Sequence, residues 1–238
     1  MGESNNINID NYLDSHYIHR SNWLRAAVLG ANDGIISISS LAIGIAAASS
    51  TREPIILATV AGLVAGALSM AAGEYVSVSS QTDIETADIA REKLELEEMP
   101  EEELTILAQI YERRGLSKET AKQVAIELTE HDALGAHVRD ELGITEISQA
   151  NPLQAALASG ASFLLGGVFP LLVTLFLPVN GMEYWLYGFT LIFLIILGSI
   201  SAYTGGSSPF KSIIRITIWG TIAMVLSAGV GYLFGVRV

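Results

Sequence analysis

The chain has 238 residues, of which 50% are hydrophobic, only 16% are charged and none is a cysteine. A soluble domain carries about a quarter of charged residues, so this composition excludes an ordinary soluble domain, and the lack of cysteine excludes disulfides and thiolate metal sites. The net charge of −12 argues against nucleic acid as a partner. We therefore predict an all-α integral membrane protein.

The first 22 residues are polar and acidic, and they lack the basic start and apolar stretch of a secretory signal. Five apolar stretches follow, each long enough to cross a bilayer as a helix. The predicted spans are residues 24–47, 54–78, 153–177, 184–204 and 213–235. We accordingly divide the chain into a tail, a first membrane segment, an insert and a second membrane segment, at residues 1–22, 23–78, 79–150 and 151–238.

Ionisable residues occur inside the first two predicted spans. Asp33 lies within the first span. A carboxylate inside the membrane costs free energy, so its presence there suggests a functional role. Met70 and Glu74 lie one turn apart on one face of the second span. Counted from the same membrane surface, Asp33 lies about 14 Å deep and Met70 about 12 Å deep. A carboxylate beside a thioether favours transition metals over Mg²⁺ or Ca²⁺.

A plainer interpretation of these three residues stays open. Asp33 could hydrogen-bond to Asn32, Ser37 or the backbone for packing alone. Met70 could be filler, as methionine usually is in an apolar span, and Glu74 could lie at the interface in contact with water.

The insert concentrates the charge of the chain, with 18 acidic residues against seven basic ones. Its pattern predicts three helices, at about residues 81–99, 100–115 and 117–142, with Pro100 at a helix start and Gly115 and Gly143 at helix ends. Acids of the first helix line one face, namely Glu85, Asp88, Glu92 and Glu95. Packed carboxylates repel one another unless a cation or proton intervenes, so this face indicates metal binding. The alternative is a solvated charged face.

On the third insert helix, Glu127, Glu130 and His131 share a face and His137 lies further along. A di-iron oxidase is disfavoured because its motif is Glu-x-x-His, whereas Glu127 and His131 are four residues apart.

Basic residues predict the orientation. With a cytoplasmic N-terminus, that side holds eleven Lys and Arg and the opposite side two, so the positive-inside rule places the insert in the cytoplasm. Five spans make a thin wall for an enclosed pore, and Gly-xxx-Gly pairs such as Gly30 with Gly34 favour close helix packing. We therefore expect a homodimer with a path at its interface. A phosphate-binding loop is absent from the sequence, so an ion gradient is the expected energy source.

Three motifs resemble the vacuolar iron transporter family. They are LGANDG at 29–34 in the first span, GALSMAAGEYVS at 66–77 continuing to SQTDIE at 80–85, and NPLQAA at 151–156. The resemblance extends over about residues 20–238, and its most specific part is the motif of the second span.

The resemblance implies a dimeric five-span exporter that moves Fe²⁺, and in some members Mn²⁺, out of the cytosol in exchange for protons. Asp33 and Met70 match the family's path residues at the dimer interface, and Glu74 matches the acid of the motif. The closest counterparts of the family's insert ligands are Glu92, Glu95 and Glu103, followed by Glu85, Glu102, Glu127 and Glu130. Residues 108–116 look like those of bacterial members, which implies a plasma membrane instead of a vacuole.

The sequence thus predicts a proton-coupled exporter of Fe²⁺ and Mn²⁺ that is not an enzyme and has no permanently bound cofactor. Fe²⁺, Mn²⁺ or Zn²⁺ is expected as substrate and insert ligand, and the expected partners are divalent ions, protons, the lipid bilayer and a second copy of the chain. Two alternatives remain. One is a membrane sensor in which metal reorganises the acidic insert without transport, and the other is a Ca²⁺ or Mg²⁺ carrier.

Overall fold

The computed structural model describes residues 21–144, 151–204 and 206–235, and regular structure in these ranges is helical. Its helices are α1 Ser21–Ala48, α2 Arg52–Glu98, α3 Pro100–Arg113, α4 Lys118–Asp140, α5 Pro152–Phe176, α6 Met182–Thr204 and α7 Pro209–Phe234. Five of these, α1, α2, α5, α6 and α7, are long and apolar enough to cross a membrane. The prediction of an all-α membrane protein with five spans is confirmed, and the cytoplasmic side of the insert stays a prediction. Nearly all of the predicted polar tail lies outside the described residues.

The chain forms two compact units. The membrane unit comprises the residues up to Tyr75 and those from Leu153 onwards, and the insert unit is Val76–Pro152. Helix α2 contributes to both, since it runs for 47 residues through the boundary expected at residue 78. Its continuity has a local cause, because no glycine or proline occurs between Glu74 and Glu98.

In the membrane unit, α1 packs against α6 and α7 and approaches α5 closely through glycines. A Cβ atom at Gly34 would collide with the backbone of Phe163 and Gly167, so only glycine permits this approach. The core between the helices is apolar and includes Ile43, Met182, Leu186 and Met224. Many large Leu and Ile side chains remain exposed on these helices, as a lipid-facing surface requires.

Arg52 joins the beginning of α2 to the end of α5. Its guanidinium donates hydrogen bonds to the carbonyl oxygens of Leu175 and, at 2.6 Å, Leu177. Carbonyls in the last turn of a helix lack intrahelical donors, and a cation there complements the helix dipole. This contact fixes the two helices that flank the membrane cavity described below.

In the insert unit, α3 and α4 pack against each other around Leu107, Ala108, Ala125 and Ala136. Gly115 ends α3 with a φ of 103°, a left-handed conformation that favours glycine. Ser117 caps α4, because its hydroxyl accepts a hydrogen bond of 3.3 Å from the Thr120 backbone N–H. The second and third predicted insert helices therefore occur where their start and stop residues placed them, whereas the first is the end of α2 and not a separate helix.

Helix α4 contains a break that the sequence pattern did not predict. Asp132 has φ −162° and ψ 88°, which is extended backbone inside the helix. Its side-chain Oδ1 accepts a hydrogen bond of 3.0 Å from the Gly135 backbone N–H. Asp132 therefore acts as an N-cap for the rest of the helix. We call residues 133–141, which follow the break, the distal segment.

Candidate functional site

Four side chains of the insert unit converge on one point, and we call them the four-residue cluster: Glu92, Glu103, His137 and Glu141. One ligand atom of each lies within 4.8 Å of the others. His137 Nδ1 lies 2.9 Å from an oxygen of Glu92, 2.9 Å from an oxygen of Glu141 and 3.6 Å from an oxygen of Glu103. Three helices supply these groups, namely α2, α3 and the end of α4.

Three members of the cluster are removed from solvent, with Glu92 2%, Glu103 4% and His137 0% exposed. Buried charges in proteins are paired or coordinate metals. Nε2 of His137 is buried and has no hydrogen-bond partner among the described residues. Oε1 of Glu92 is the oxygen 2.9 Å from His137 Nδ1, but the two atoms do not have the geometry of a hydrogen bond. The cluster therefore holds more buried ligand capacity than its own hydrogen bonds use.

Burial raises the pKa of the Glu92 and Glu103 carboxyl groups above the ordinary value. The charge of Glu141 raises both further, and the attraction of His137 only partly opposes the rise. These carboxyl groups consequently keep a proton to higher pH than an exposed glutamate does. A proton or a cation at this point relieves the repulsion among the three carboxylates.

The local sequence explains how the cluster forms. Pro100 begins α3 and places Glu103 in its first turn, where acids suit the helix dipole. At the other side, Asp140 joins the end of α4 to α3, because it accepts hydrogen bonds from Tyr111 at 2.9 Å and Arg114 at 2.6 Å. Glu141 follows directly in the sequence, so the same contact fixes its position.

Asp140 remains ionised at this junction. Burial raises the pKa of Asp140, but hydrogen bonds from Arg139, Arg114 and Tyr111 together hold it below its usual value. Both arginines therefore face a carboxylate that keeps its charge.

Of the seven predicted insert ligands, Glu92 and Glu103 belong to the cluster. The other five lie outside it, namely Glu85, Glu95, Glu102, Glu127 and Glu130. Glu95 is half-buried, with an oxygen 3.4 Å from Arg91, and Glu127 accepts a hydrogen bond from Gln123. Glu102 and Glu130 are exposed. The assignment of all five residues as metal ligands stays a prediction.

His137 and Glu141 were missed as site residues, although a signal for them was present. They are four residues apart and therefore share a helix face, which is the spacing that drew attention to Glu127 and His131. The sequence pattern predicts a continuous third insert helix. Since α4 breaks at Asp132, faces defined before the break do not continue after it.

A separate cavity of about 470 Å³ lies in the membrane unit between α1, α2 and α5. Asp33, Met70 and Glu74 all line it, so the structure brings the three predicted path residues together. Ser37 donates a hydrogen bond of 2.5 Å to Asp33 Oδ1. This bond also fits the alternative in which Asp33 hydrogen-bonds to Ser37 for packing alone. The role of the three residues in a path stays a prediction.

Comparison with known proteins identifies the family. A family model described as the VIT family matches residues 24–232. The chain belongs to the VIT family. The resemblance seen in the motifs is thereby confirmed for this VIT-family protein.

Several curated relatives align along most of the VIT-family chain. The Vacuolar iron transporter of Acanthamoeba castellanii is 43% identical over 226 residues, covering 94% of this chain and 84% of that protein. Vacuolar iron transporter homolog 1 of Oryza sativa subsp. japonica is 36% identical over 223 residues, with 93% and 78% covered. Vacuolar iron transporter homolog 1 of Arabidopsis thaliana is 33% identical over 240 residues, with 98% and 95% covered.

These relatives are named as transporters, in agreement with the prediction that the chain is not an enzyme. Their names also contain the word vacuolar. The plasma membrane expected for this chain stays a prediction.

Proposed function

We propose that this VIT-family chain exports divalent transition metal ions from the cytosol in exchange for protons, with Fe²⁺ as the main substrate and Mn²⁺ as a second one. The observation that carries the proposal is the four-residue cluster. Three carboxylates and one imidazole form a ligand set that suits Fe²⁺, Mn²⁺ and Zn²⁺. The names of the relatives, which include iron transporters, support the same class of substrate.

Proton exchange follows from the chemistry of the ligands. A metal must displace protons from the groups that bind it. Burial raises the pKa of Glu92 and Glu103, so these ligands hold protons to higher pH than exposed glutamates do, and an arriving cation releases the protons that they hold. A gradient of protons can then drive metal movement without a nucleotide, and the sequence contains no phosphate-binding loop of the Walker type.

The proposed path through the membrane unit is the cavity lined by Asp33, Met70 and Glu74. Two of these residues, Met70 and Glu74, lie on α2, the helix that also carries Glu92. We propose that metal collected by the cytoplasmic insert passes to Glu74 and then to the Asp33 and Met70 pair. On this view Asp33 binds metal and proton alternately.

We further propose that two copies of the chain form the path. The cavity is open at the surface of the membrane unit, and its lining includes polar groups of Asp33, Ser37 and Ser69. Such groups avoid acyl chains and face a bundle interior or water. A second copy against this face encloses the cavity, in a bacterial plasma membrane with the insert on the cytoplasmic side.

Flux through liposomes that contain the purified full chain tests the proposal. We expect Fe²⁺ and Mn²⁺ to move when a pH gradient is imposed, and Asp33→Asn to abolish movement. The matched control is Asp83→Asn, the same chemical change at an exposed residue of the insert unit, which should transport normally.

Each contrary outcome has a distinct meaning. A folded Asp33→Asn protein with normal flux would contradict the path. A wild-type protein that binds metal but moves none, with or without a pH gradient, would favour the alternative of a membrane sensor that does not transport. Flux of Ca²⁺ or Mg²⁺ equal to that of Fe²⁺, unchanged in Met70→Ala, would favour the carrier of hard cations.

A further inference from the structure

The break in α4 lies just before the residues of that helix that belong to the cluster. Asp132 leaves helical geometry, with φ −162° and ψ 88°. In a continuous helix the N–H of each residue is bonded to the carbonyl four residues earlier. Here the Asp132 carboxylate takes the place of a carbonyl, accepting from the Gly135 N–H at 3.0 Å. Asp132 itself is exposed and does not belong to the cluster.

The distal segment carries half of the cluster, His137 and Glu141. These two lie four residues apart, and their side chains are 2.9 Å from each other. The far end of the segment is fixed by the hydrogen bonds of Asp140 with Tyr111 and Arg114. The near end begins at the Asp132 cap. The direction of the segment between these two points decides whether its ligand face meets Glu92 and Glu103.

Space around the cap supports this interpretation. A Cβ atom at Gly135 would collide with the carboxylate of Asp132. The φ of Gly135 is not positive, so glycine is not required there by backbone conformation. Glycine at this position instead leaves room for the capping carboxylate beside the backbone.

We propose that Asp132 is a positioning residue of the metal centre. Its cap interrupts α4 and directs the distal segment so that His137 and Glu141 complete the ligand set begun by Glu92 and Glu103. This inference rests on the proposed function, because it takes the four-residue cluster as the site at which the metal binds.

Three variants separate the cap from the charge. Asp132→Asn keeps an acceptor of the same length and removes the charge, and Asn caps helices as well as Asp does. Asp132→Glu keeps the charge but moves the carboxylate one methylene further from the backbone. Gly135→Ala leaves Asp132 intact and displaces its carboxylate. Ala also favours helix more than Gly does, so a merely structural role of Gly135 predicts a higher melting temperature in that variant.

The experiment is a titration of the purified full chain in detergent with Co²⁺, followed by its visible absorption. His137→Gln identifies which absorption belongs to the cluster. We expect Asp132→Asn to bind Co²⁺ almost as the wild type does. Asp132→Glu and Gly135→Ala should bind about tenfold or more weakly, with an altered spectrum, as loss of supporting groups around a metal site does.

The outcomes distinguish this inference from the proposed function. If the wild type shows no Co²⁺ absorption that His137→Gln removes, the cluster is not the metal site and the positioning role is overturned with it. If that absorption is present but unchanged in Asp132→Glu and Gly135→Ala, only the positioning role is overturned. Weakening in Asp132→Asn without weakening in Asp132→Glu would assign the effect to charge and would also overturn it.

Discussion

His137 gives the cluster its chemical character, because it places one nitrogen among three carboxylates. An all-oxygen set suits Ca²⁺ and Mg²⁺, whereas imidazole suits Fe, Zn and Cu. The high density of acidic residues in the insert sequence pointed to Glu92 and Glu103 as ligands. It could not point to a single histidine whose partners lie on three helices, because that proximity arises only when the helices pack.

Removal of this nitrogen should change selectivity. We expect His137→Gln to lower the affinity for Co²⁺ by about tenfold or more, or about 1.4 kcal/mol, and to change the affinity for Ca²⁺ little. Calorimetric titration of the full chain with each ion measures both. His131→Gln is the matched control, since His131 is an exposed histidine of the same helix. An equal loss in both variants would contradict the role of His137.

The raised pKa values of Glu92 and Glu103 predict a pH dependence of metal binding. A carboxyl group with a pKa raised on folding stabilises the fold below its ordinary value of 4.5, and this contribution is lost as pH rises through the raised pKa. Metal binds the ionised form, so affinity should rise with pH over this same window and binding should release protons. Calorimetry in two buffers of different ionisation enthalpy measures the release. Affinity independent of pH there would contradict the prediction.

At the scale of the element, start and stop residues predicted most of the helices. Pro100, Gly115 and Ser117 mark boundaries that the structure also has. Two features were not predicted. Helix α2 continues beyond its apolar part, because hydropathy detects where a membrane span ends and not where a helix ends. The break at Asp132 depends on a side-chain cap, and Asp occurs on exposed helix surfaces as well as at caps.

Close packing of α1 on α5 predicts a strong effect of one methyl group. Gly34→Ala should destabilise the protein by about 1–3 kcal/mol, because the added Cβ meets the backbone of Phe163 and Gly167, which cannot rotate away as a side chain can. The thermal melting temperature of the purified protein measures this. Gly188→Ala, in a helix with nothing within 4 Å of the added atom, should be neutral or slightly stabilising. Equal effects of the two changes would refute the packing argument.

At the scale of the whole molecule, charge and hydropathy separate along the chain. The insert holds nearly all of the excess negative charge. This separation of charge from apolar residues was predictable, because the apolar spans are expected to face lipid and the insert to face water. The negative electrostatic potential around the insert raises the local concentration of cations, and this effect weakens as ionic strength rises. Assembly was less predictable, since a shared interface depends on surface shape.

The proposed dimer predicts a cross-link at one face. The natural chain has no cysteine, so any introduced thiol is unique. Ser69 is exposed and lines the cavity, and Ser69→Cys should form a disulfide-linked dimer under mild oxidation in membranes. Ile196→Cys, at a residue 50% exposed on α6, is the control and should remain monomeric on non-reducing gels. Cross-linking through Ile196→Cys alone would place the interface elsewhere.

The composition of the four-residue cluster has an electrical consequence. Two protons and one divalent ion carry the same charge, so the total charge of the cluster is the same with either bound. Exchange of two protons for one ion is therefore electroneutral at the point of capture, and the surrounding low-dielectric interior does not resist it. Loading of this centre by such an exchange should accordingly add no net charge to it and should respond to acidity.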